Sequence, residues 1–518
     1  MNQRMNGRMN MMVIDAGIDA ARACRRRLAA LAACGALLLA PLAGAAPPAG
    51  AAAQAASAPA SAVAAAQRPV SVMPPFRPVP PSGALSEPNS VLFDPFLTDL
   101  EERTFRFFWD TANPDNGLIP DRYPTPSFAS IAAVGFGLTA YPIGVERGYI
   151  TRAAARQRVL TTLRFFVHAP NQHGFFYHYL DMTSGKRANE SEVSTVDTAL
   201  LLAGVLFCQS YFDTQNPREI EIRKLADELY RRVDWTWAQP RPPGVALAWT
   251  PEEGFSGSDW RGYNEAMLVY LLALGSPTHP VSAQAWSLWT STYDKEWGTV
   301  YDQTYLGFAP LFGHQYTHVW VDFRGIRDAY MREHGLDYFE NSRRATYTQR
   351  RYAIANPQHW KAYGKDVWGI SASDGPGPGR EPYLGQERSF LKYAARGVGV
   401  GEILDDGTIA PTAAISSLPF APEIVLPATL EMYHRFGASI YSSYGFVDAF
   451  NASFNGPHDS GEAGWVDPDY VGIDQGPILA MIENYRSDLV WRVMRTDPYL
   501  RQGLERAGFS GGWLAQVQ

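Results

Sequence analysis

The stretch Ser194–Tyr211 has the sequence STVDTALLLAGVLFCQSY, which is apolar around almost the whole circumference of a helix. A helix without a polar face is buried on all sides. The stretch Asn264–Leu274, NEAMLVYLLAL, has the same character. Segments with a single apolar face alternate with such stretches, as a double-layered toroid of outer and buried inner helices requires. The sequence therefore predicts an all-α fold, an (α/α)6 toroid, although a less regular helical array has the same periodicity.

The remaining helices are predicted from apolar residues that recur three and four positions apart. They cover Phe96–Thr111, Ser130–Tyr141, Thr151–His168, Pro217–Ala238, Val281–Thr290, His318–Glu333, Asp337–Ala355, Glu423–Phe436, Gly476–Arg495 and a tail from Tyr499. Long aromatic stretches punctuated by glycine and proline lie between helices, at 239–263, 364–422 and 441–475. Loops of this length inside a compact domain usually carry function, so we expect the functional site to be built from them.

The start of the chain predicts export. A basic cluster at 25–27 precedes an Ala/Leu run at 28–40 and small residues at 43–45, which is the order typical of a secretory signal. We therefore predict a signal peptide over residues 1–46 and a periplasmic protein without a membrane span in its mature form. Two alternatives stay open: lipid attachment at Cys34, and an uncleaved anchor, since the apolar run approaches the length of a membrane span.

A linker and one large domain are expected after the signal. Residues 47–89 are mainly alanine, proline and serine, and they cannot bury enough apolar surface to offset the entropy of ordering. We predict a disordered linker there. Residues 90–518, which are rich in tryptophan and tyrosine, are expected to form one catalytic domain.

Charge and cysteine content narrow the class of protein. The net charge of −7 argues against nucleic-acid binding, which needs a basic surface. Cys208 is the one cysteine outside the signal region, so the mature chain has no intrachain disulfide, and its apolar neighbours predict a buried thiol. Four arginines are expected to form a solvated helix face: Arg343, Arg344, Arg350 and Arg351.

Common catalytic and cofactor signatures are missing. The glycine- and proline-rich stretch 375–379 lacks the Lys-Ser/Thr pair of a phosphate loop. The serines of 254–258 are wrongly placed for a nucleophile elbow. His314, His318 and Asp322 lie at four-residue spacing and form a possible metal constellation. Such groups more often bind substrate or one another, so we predict no metal and no other cofactor.

Carboxylates at helix starts remain as the candidate chemistry. Glycosidic cleavage needs one carboxyl that protonates the leaving oxygen and one carboxylate that activates water or attacks carbon. Glu265 and Asp474 each lie where a glycine-containing turn enters an apolar helix, and Glu190, Glu192 and Asp197 cluster at the start of the 194–211 helix. Burial there would raise the pKa of a carboxyl. Acidic residues also cap helices without any catalytic role, so that interpretation stays open.

Tryptophans in and near the long loops have two interpretations. Each could stack on a sugar ring or pack in the core: Trp109, Trp249, Trp260, Trp368 and Trp465. Their concentration beside acids carried on turns favours a cleft that binds saccharide.

Several longer motifs resemble those of the glycoamylase-like domain family over residues 95–508. They are AVGFGLT at 133–139, GVERG at 144–148, STVDTAL at 194–200, GYNEA at 262–266 followed by LGSPTHP at 274–280, HVWVDFR at 318–324, GIDQGP at 472–477 and MIENYR at 481–486. Several long motifs in a fixed order make the resemblance specific.

The family includes the endo-β-1,2-glucanases of glycoside hydrolase family 144 and a related domain of cyclic β-1,2-glucan synthases. The resemblance implies an (α/α)6 toroid, metal-independent inverting hydrolysis and a β-1,2-glucan substrate. Carried over by position, Glu265 is the candidate general acid and Asp474 the candidate base, with Asp197 and Glu192 as alternates. Further candidates for contacts with substrate are Trp260, Arg261, Tyr263, Asn264, His178, His314, Gln315 and Trp465.

Rival functions remain at this level. A transglycosylase or an exo-acting enzyme would use the same acid on the same fold. A polysaccharide lyase would use a tyrosine or histidine base on a uronic-acid substrate. A periplasmic glycan-binding protein would need no acid at all, and the presence of both Glu265 and Asp474 argues against it.

Overall fold

The structure is a computed structural model, and it describes residues 93–454, 456 and 460–515. The predicted signal peptide at 1–46 and the predicted linker at 47–89 lie outside the described residues. Both therefore stay predictions, as does the division of the chain into domains.

The described part of the chain is rich in helix, in agreement with the predicted class. The helices are α1 Phe93–Thr111, α2 Ile131–Glu146, α3 Arg152–His168, α4 Thr195–Tyr211, α5 Pro217–Arg231, α6 Met267–Gly275, α7 Gln284–Trp289, α8 Tyr293–Glu296, α9 Tyr316–Trp320, α10 Ala329–Glu333, α11 Tyr338–Ala355, α12 Pro411–Ile415, α13 Pro422–Ile440, α14 Gly472–Ser487, α15 Leu489–Met494 and α16 Pro498–Arg506. Short 3-10 helices cover Thr290–Thr292, Leu311–His314, Gly461–Ala463 and Gly512–Ala515.

Short strands fill the segments between helices. They are β1 Arg122–Tyr123, β2 Ala129–Ser130, β3 Asn171–Gln172, β4 Phe175–Phe176, β5 Tyr179–Leu180, β6 Val193–Ser194, β7 Ala248–Thr250, β8 Gly254–Phe255, β9 Trp297–Val300, β10 Gln303–Leu306, β11 Ile326–Arg327, β12 Ala372–Ser373, β13 Gly379–Tyr383, β14 Gln386–Phe390, β15 Ala394–Ala395, β16 Gly397–Gly399, β17 Glu402–Leu404, β18 Tyr441–Ser442, β19 Gly445–Phe446, β20 Phe450–Asn451, β21 Trp465–Val466, β22 Tyr470–Val471 and β23 Ser510–Gly511. All pair antiparallel, as two-stranded ribbons except for the three-stranded β6–β7–β8.

Buried and half-buried helices alternate as the apolar patterns predict. In α6 every side chain is buried, and α2 and α4 are buried along nearly their whole length. By contrast, α3 and α5 bury one face each and expose the other. The buried helices form the centre of the core, because an apolar surface on all sides must be covered on all sides.

Two glycines let α2 and α4 approach closely. A Cβ on Gly135 would lie 2.3 Å from the carbonyl oxygen of Leu200, and one on Gly204 would lie 2.1 Å from the carbonyl oxygen of Gly135. Any larger residue would force the helices apart. The backbone contact therefore fixes the position of the N-terminal half of α4, which carries Asp197.

The N-terminal ends of the buried helices lie together. Helix α2 packs against α4 and α14, α4 packs against α6, and α9 and α12 pack against α14. Hydrogen bonds link the ends of neighbouring helices: Thr317 Oγ1 to the Glu265 carbonyl at 3.2 Å, Gln315 Nε2 to the Ala413 carbonyl at 2.8 Å and Thr412 Oγ1 to the Asp474 carbonyl at 3.0 Å. Strands β2, β6 and β22 end directly before α2, α4 and α14, so their pairing fixes these helix ends.

Some predicted helix bounds were wrong. The single helix predicted over 318–333 is two helices, because the backbone turns extended at Val321, directly after α9, and α10 begins only at Ala329. The helix predicted over 476–495 is broken at Asp488, with φ 64°. Helix α5 ends at Arg231, seven residues before the predicted Ala238. Helix α12, five residues long, lies inside the 364–422 stretch that was predicted as loop.

The remaining composition-based predictions concern single residues and membrane spans. Cys208 is fully buried and its thiol is free, as predicted. The four arginines of α11 are partly exposed and bind Glu423, Glu340, the Lys365 carbonyl and Asp302. Within residues 93–515, apart from 455 and 457–459, none of the helices has both the length and the hydropathy to cross a bilayer.

Candidate active site

The carboxyl of Glu265 lies in the turn before α6, within the buried interior. The helix begins at Met267, so Glu265 precedes it instead of lying inside it as the predicted bounds had it. The side chain is 3% exposed, and neither carboxyl oxygen has a hydrogen-bond partner among the described residues. Burial raises the pKa of Glu265 to about 7, and the charge of Asp197 raises it as well. A carboxyl in this environment keeps its proton near neutral pH.

A histidine and two acids form a second group beside α4. The carboxyl of Asp197 accepts a hydrogen bond from the Ser194 hydroxyl, which also caps the helix by accepting from the Asp197 amide at 3.1 Å. His178 lies between two acids, with Nδ1 2.9 Å from Glu192 Oε1 and Nε2 3.7 Å from Asp197 Oδ1. The structure thus places His178, which the sequence proposed as a substrate contact, between two acids that the sequence proposed as one cluster.

His178 is a cation in this group. Burial alone would lower its pKa, but Asp197 and Glu192 raise the pKa of His178 to about 9. Burial would raise the pKa of Glu192, yet its hydrogen bond to His178 lowers that pKa below the ordinary value. The group is therefore an ion-paired triad, and Glu192 is a poor proton donor at neutral pH.

Asp474 belongs to a third group, of buried aspartates. Its Oδ1 accepts a hydrogen bond from the Tyr316 hydroxyl at 3.3 Å, and its Oδ2 has no partner within the described part of the chain. Burial and the neighbouring charge of Asp448 raise the pKa of Asp474 well above its usual range. Burial and Asp374 likewise raise the pKa of Asp448 to about 7. Close carboxyls of this kind titrate as a unit that retains a proton.

Asp467 and Arg122 complete this aspartate group. Burial, Asp448 and Asp374 raise the pKa of Asp467 to about 9. The guanidinium of Arg122 lies 2.5 Å from Asp374 Oδ2 and supplies a positive charge at one side of the group. The pairing of β1 with β22 places Arg122 opposite Val471, directly before α14.

Sequence analysis missed most of this third group. Asp374, Asp448 and Asp467 all lie in the long stretches that we expected to carry function, but no motif distinguished them from other loop acids. The sequences Asp374-Gly375 and Asp467-Pro468 at turns were the available signal. Nothing in the sequence marked Arg122 or Tyr316.

Residues in and directly before the GYNEA motif have mainly internal contacts, except for Arg261. Trp260 is 5% exposed, and its indole N–H donates to Thr195 Oγ1 at 2.9 Å. The Tyr263 ring is buried and stacks on Tyr338 with ring centroids 5.7 Å apart. Asn264 Oδ1 accepts from the Ala266 amide at 2.9 Å, and Arg261 is exposed.

The other predicted contact residues are buried or half-buried. His314 is buried, and burial lowers its pKa to about 3, so the ring is neutral. The Gln315 amide donates to the Ala413 carbonyl and to Ser417 Oγ. Trp465, half-buried on β21, packs against an aromatic cluster with the members Trp360, Tyr383, Phe390 and Phe454. The predicted roles of all these residues toward substrate stay predictions.

The possible metal constellation of the sequence does not form. The Asp322 carboxylate binds Arg324 and Arg495, and His318 Nε2 lies 3.0 Å from Ser342 Oγ. Two other sets have ligand atoms within 4.8 Å of one another: His178 with Glu192 and Asp197, and Asp374 with Asp448 and Asp467. In each set a positively ionisable side chain lies beside the carboxylates, His178 in the first and Arg122 in the second.

Comparisons with known proteins match this architecture. The family model Glycoamylase, described as "Putative glucoamylase", matches residues 257–498. A solved structure from Bacteroides uniformis, described in the same words, is 32% identical, with the match covering 82% of this chain and 100% of that one at a TM-score of 0.73. The chain belongs to the glycoamylase-like family. The resemblance predicted from the motifs is thereby confirmed.

Two further relatives of this glycoamylase-like chain have named activities. The endo-β-1,2-glucanase from Chitinophaga pinensis, solved with sophorotriose and glucose, is 30% identical over 82% of this chain and 100% of that one, at a TM-score of 0.72. The exo β-1,2-glucooligosaccharide sophorohydrolase (non-reducing end) of Parabacteroides distasonis is 31% identical over 82% of this chain. The chain spans 59% of the length of that curated relative.

Proposed function

We propose that this chain is a glycoside hydrolase that cleaves β-1,2-glucan with inversion at the anomeric carbon. The observation that carries the proposal is the buried, unpartnered carboxyl of Glu265, with a pKa raised to about 7. A protonated acid of this kind is what a glycosidic leaving oxygen requires. The names of the relatives, an endo-β-1,2-glucanase and a β-1,2-glucooligosaccharide sophorohydrolase, support the linkage.

Glu265 acts as the general acid in this proposal. Its proton passes to the glycosidic oxygen as the bond to the anomeric carbon breaks, which leaves Glu265 as a carboxylate. Free oxygens suit that role, because no internal hydrogen bond has to break before the carboxyl reaches the substrate. A raised pKa brings the acid close to the operating pH, where general-acid catalysis is most effective.

Asp474 and Asp448 act together on the base side. The two carboxyls share a side-chain hydrogen bond, and burial together with their neighbouring charges raises the pKa of both, so the pair retains a proton. The remaining negative charge accepts the proton of the attacking water. Inversion needs the acid and the base to stand roughly 6.5–9.5 Å apart so that water fits between sugar and base. Asp197 and Glu192 remain the alternates for the base.

The (α/α)6 toroid is the fold in which we place this site. Helices α2, α4, α6, α9, α12 and α14 would form the inner ring and α1, α3, α5, α7, α11 and α13 the outer ring. The alternation of buried and half-buried helices and the hydrogen bonds between inner helix ends support this assignment. One acid of each group lies at the N-terminal end of an inner helix: Glu265 before α6, Asp197 in α4 and Asp474 in α14.

Exo action is the second candidate for the mode of cleavage. The curated relative from Parabacteroides distasonis is named as an exo enzyme acting at the non-reducing end, whereas the relative from Chitinophaga pinensis is named as an endo enzyme. Product lengths separate the two modes. An exo enzyme releases one product size from the first minute, and an endo enzyme releases a spread of oligosaccharides that shortens with time.

The mature protein is proposed to act outside the cytoplasm. The basic and apolar pattern of residues 1–46 supports this location. Expression with the native start in a Gram-negative host should yield periplasmic protein shortened by about 45 residues, the length given by the small-residue cleavage pattern. Full-length cytoplasmic protein would overturn the proposal, and detergent-extractable protein would indicate lipidation at Cys34.

A panel of linear glucans tests the activity. The purified 90–518 chain is incubated with β-1,2-, β-1,3- and β-1,4-glucans, and proton NMR follows the anomer that forms first. We expect cleavage of the β-1,2-linked substrate alone, with the α-anomer appearing first. Cleavage of another linkage alone would overturn the substrate assignment, and initial β-anomer would overturn inversion.

A further inference from the structure

Arg396 and Asp406 form an ion pair deep inside the protein. Arg396 is 0% exposed and Asp406 is 3% exposed. The contact is bidentate, with Nε donating to Oδ1 at 2.7 Å and Nη2 donating to Oδ2 at 2.9 Å. A buried ion pair costs much desolvation energy and often adds no net stability over an apolar pair. Stability alone therefore does not account for it.

The guanidinium also holds two distant pieces of backbone. Nη1 donates to the carbonyl of Ser373 at 2.8 Å and to that of Asp374 at 3.3 Å. Nη2 donates to the carbonyls of Leu391 at 3.0 Å and Lys392 at 2.9 Å. Ser373 and Asp374 precede the β13–β14 hairpin, and Leu391 and Lys392 follow it. They are therefore the two ends of one segment, 373–392, which we call the hairpin segment. The Arg396 side chain thus holds the two ends of the hairpin segment together.

The glycine- and proline-rich stretch 375–379 has its explanation here. A Cβ on Gly375 would lie 2.1 Å from Arg396 Nη2, and one on Gly377 would lie 2.1 Å from the Phe390 carbonyl oxygen. A side chain at either position would push the guanidinium or the returning strand away. The stretch that lacks the features of a phosphate loop is thus a close-approach segment around Arg396.

Residues at both ends of the hairpin segment interact with the aspartate group. At the first end, the Asp374 amide donates to Asp448 Oδ2 at 2.7 Å. At the other end, Tyr393 follows Lys392. Burial, then the charges of Asp474 and Asp448, raises the pKa of Tyr393 well above its usual value.

We propose that Arg396 and Asp406 are positioning residues that set the Asp374 amide against Asp448. The inference rests on the proposed function, in which Asp448 and Asp474 form the base. It assigns the ion pair a role at the base side of the site although neither residue faces the substrate.

A pH profile reports on this positioning. The groups that act on Asp448 are Asp374, Asp474, Asp467, Tyr393 and Arg122. The amide of Asp374 donates to the ionised form of Asp448 and so lowers its pKa. If that amide moves away, the pKa of Asp448 rises, and the acid limb of kcat/KM moves to higher pH.

Two variants remove the guanidinium contacts of Arg396 in different ways. Arg396→Lys keeps the positive charge beside Asp406, but a lysine cannot donate hydrogen bonds to both ends of the hairpin segment. The double variant Arg396→Met/Asp406→Leu removes both charges; because Asp406 also accepts from the Leu391 and Thr408 amides, a lower Tm is expected, and kinetics are compared below that Tm. In each we expect kcat on β-1,2-glucan to fall by about 10- to 100-fold, the scale of an ångström-sized misplacement, with the acid limb shifted upward.

Asp405→Asn is the matched control. Asp405 lies beside Asp406 and accepts from Tyr352, Trp360 and Tyr363, all at 2.7–2.8 Å, but it does not contact Arg396. Loss of the Asp405 carboxylate should lower Tm without moving the acid limb of kcat/KM. If the folded Arg396 variants keep the wild-type kcat and the wild-type acid limb of kcat/KM, the inference is overturned.

A crystal structure of the double variant provides a readout that needs no activity. We expect the separation between the Asp374 amide and Asp448 Oδ2 to lengthen beyond hydrogen-bonding distance. An unchanged contact would overturn the inference. Failure of the wild type to cleave any β-glucan would instead contradict the proposed function, and the crystallographic result would still decide the positioning role.

Discussion

Tyr316 donates its phenolic hydroxyl to Oδ1 of Asp474 across 3.3 Å and thereby joins the N-terminal ends of α9 and α14. Burial raises the pKa of Tyr316 well above its usual value, and the charges of Asp474 and Glu265 contribute in the same direction. The phenol therefore stays protonated wherever a glycosidase works. Both the proposed acid, Glu265, and the proposed base, Asp474, affect the pKa of this phenol, and the phenol donates its hydrogen bond to the base.

Loss of this hydroxyl should weaken the base side. In Tyr316→Phe, Asp474 loses a hydrogen bond that favours its ionised form, so its pKa rises further. We expect kcat to fall by about 10-fold, the scale of one hydrogen bond to a charged group. The acid limb of kcat/KM should move to higher pH, as measured on β-1,2-glucan.

Tyr230→Phe is the control for this substitution. The Tyr230 hydroxyl is also buried and donates to the Leu272 carbonyl at 2.7 Å, near the C-terminal end of α6. We expect a lower Tm and an unchanged pH profile. Equal pH profiles for Tyr316→Phe and the wild type would show that Asp474 does not depend on this donor.

Stability against pH should show the cost of burying Glu265. Its folded pKa of about 7 exceeds the ordinary value of 4.5, so the folded state holds a proton that the unfolded state releases between these values. The stabilisation is fully present below pH 4.5 and is lost as pH rises through 7. Glu265→Gln cannot ionise, so at pH 8 it should be more stable than the wild type by roughly 3 kcal/mol at most.

Glu219→Gln should behave in the opposite way. Hydrogen bonds from Arg152 hold the pKa of Glu219 below its usual range, so the ionised form stabilises the folded state at pH 8 and loses that effect in acid. We therefore expect Glu219→Gln to be destabilised at pH 8. Urea unfolding at pH 4 and pH 8 measures both variants, and a destabilised Glu265→Gln at pH 8 would contradict the buried, unpartnered carboxyl.

Trp260 is expected to contribute to the core. Its indole N–H donates to Thr195, next to the start of α4, and its carbonyl accepts from the Tyr270 hydroxyl at 2.8 Å. Trp260→Ala should cost about 3–5 kcal/mol, as large aromatic truncations in cores do. Trp260→Phe keeps most of the packing and removes the N–H. Normal stability with a raised KM in Trp260→Ala would support the predicted sugar subsite instead.

The sequence predicted the buried helices well because their pattern is local. Ser194–Tyr211 is apolar almost all round, and α4 covers this stretch from Thr195 to Tyr211 and is buried along nearly its whole length. Helix ends set by single backbone torsions were harder. Asp488 has φ 64°, and nothing in the apolar spacing around it indicates a break.

The candidate site was predictable where a motif named it. Glu265 and Asp474 were found because each lies at a turn that enters an apolar helix. Asp448 and Asp374 were missed because their meeting depends on the path of two long loops, and Arg122 because it reaches the group through the β1–β22 pairing. Contacts between residues so far apart in the chain have no periodicity that a sequence could reveal.

The central claim is that Glu265 delivers the proton to the leaving oxygen. Glu101→Gln is a matched control, because Glu101 is also fully buried, and burial and Glu483 raise its pKa to about 8. Glu101 binds Arg147 and Arg486, which lie at the C-terminal ends of α2 and α14, away from the three acidic groups. Its replacement should leave turnover near the wild-type level.

The most direct measurement is kcat of Glu265→Gln on β-1,2-glucan, beside the same variant on a glycosyl fluoride that needs no protonated leaving group. We expect kcat on the glucan to fall by about 10²–10⁴-fold, the range of one acid–base group, with partial recovery on the fluoride. Near-wild-type kcat on the glucan in a folded Glu265→Gln variant would contradict the account and assign the acid to another residue.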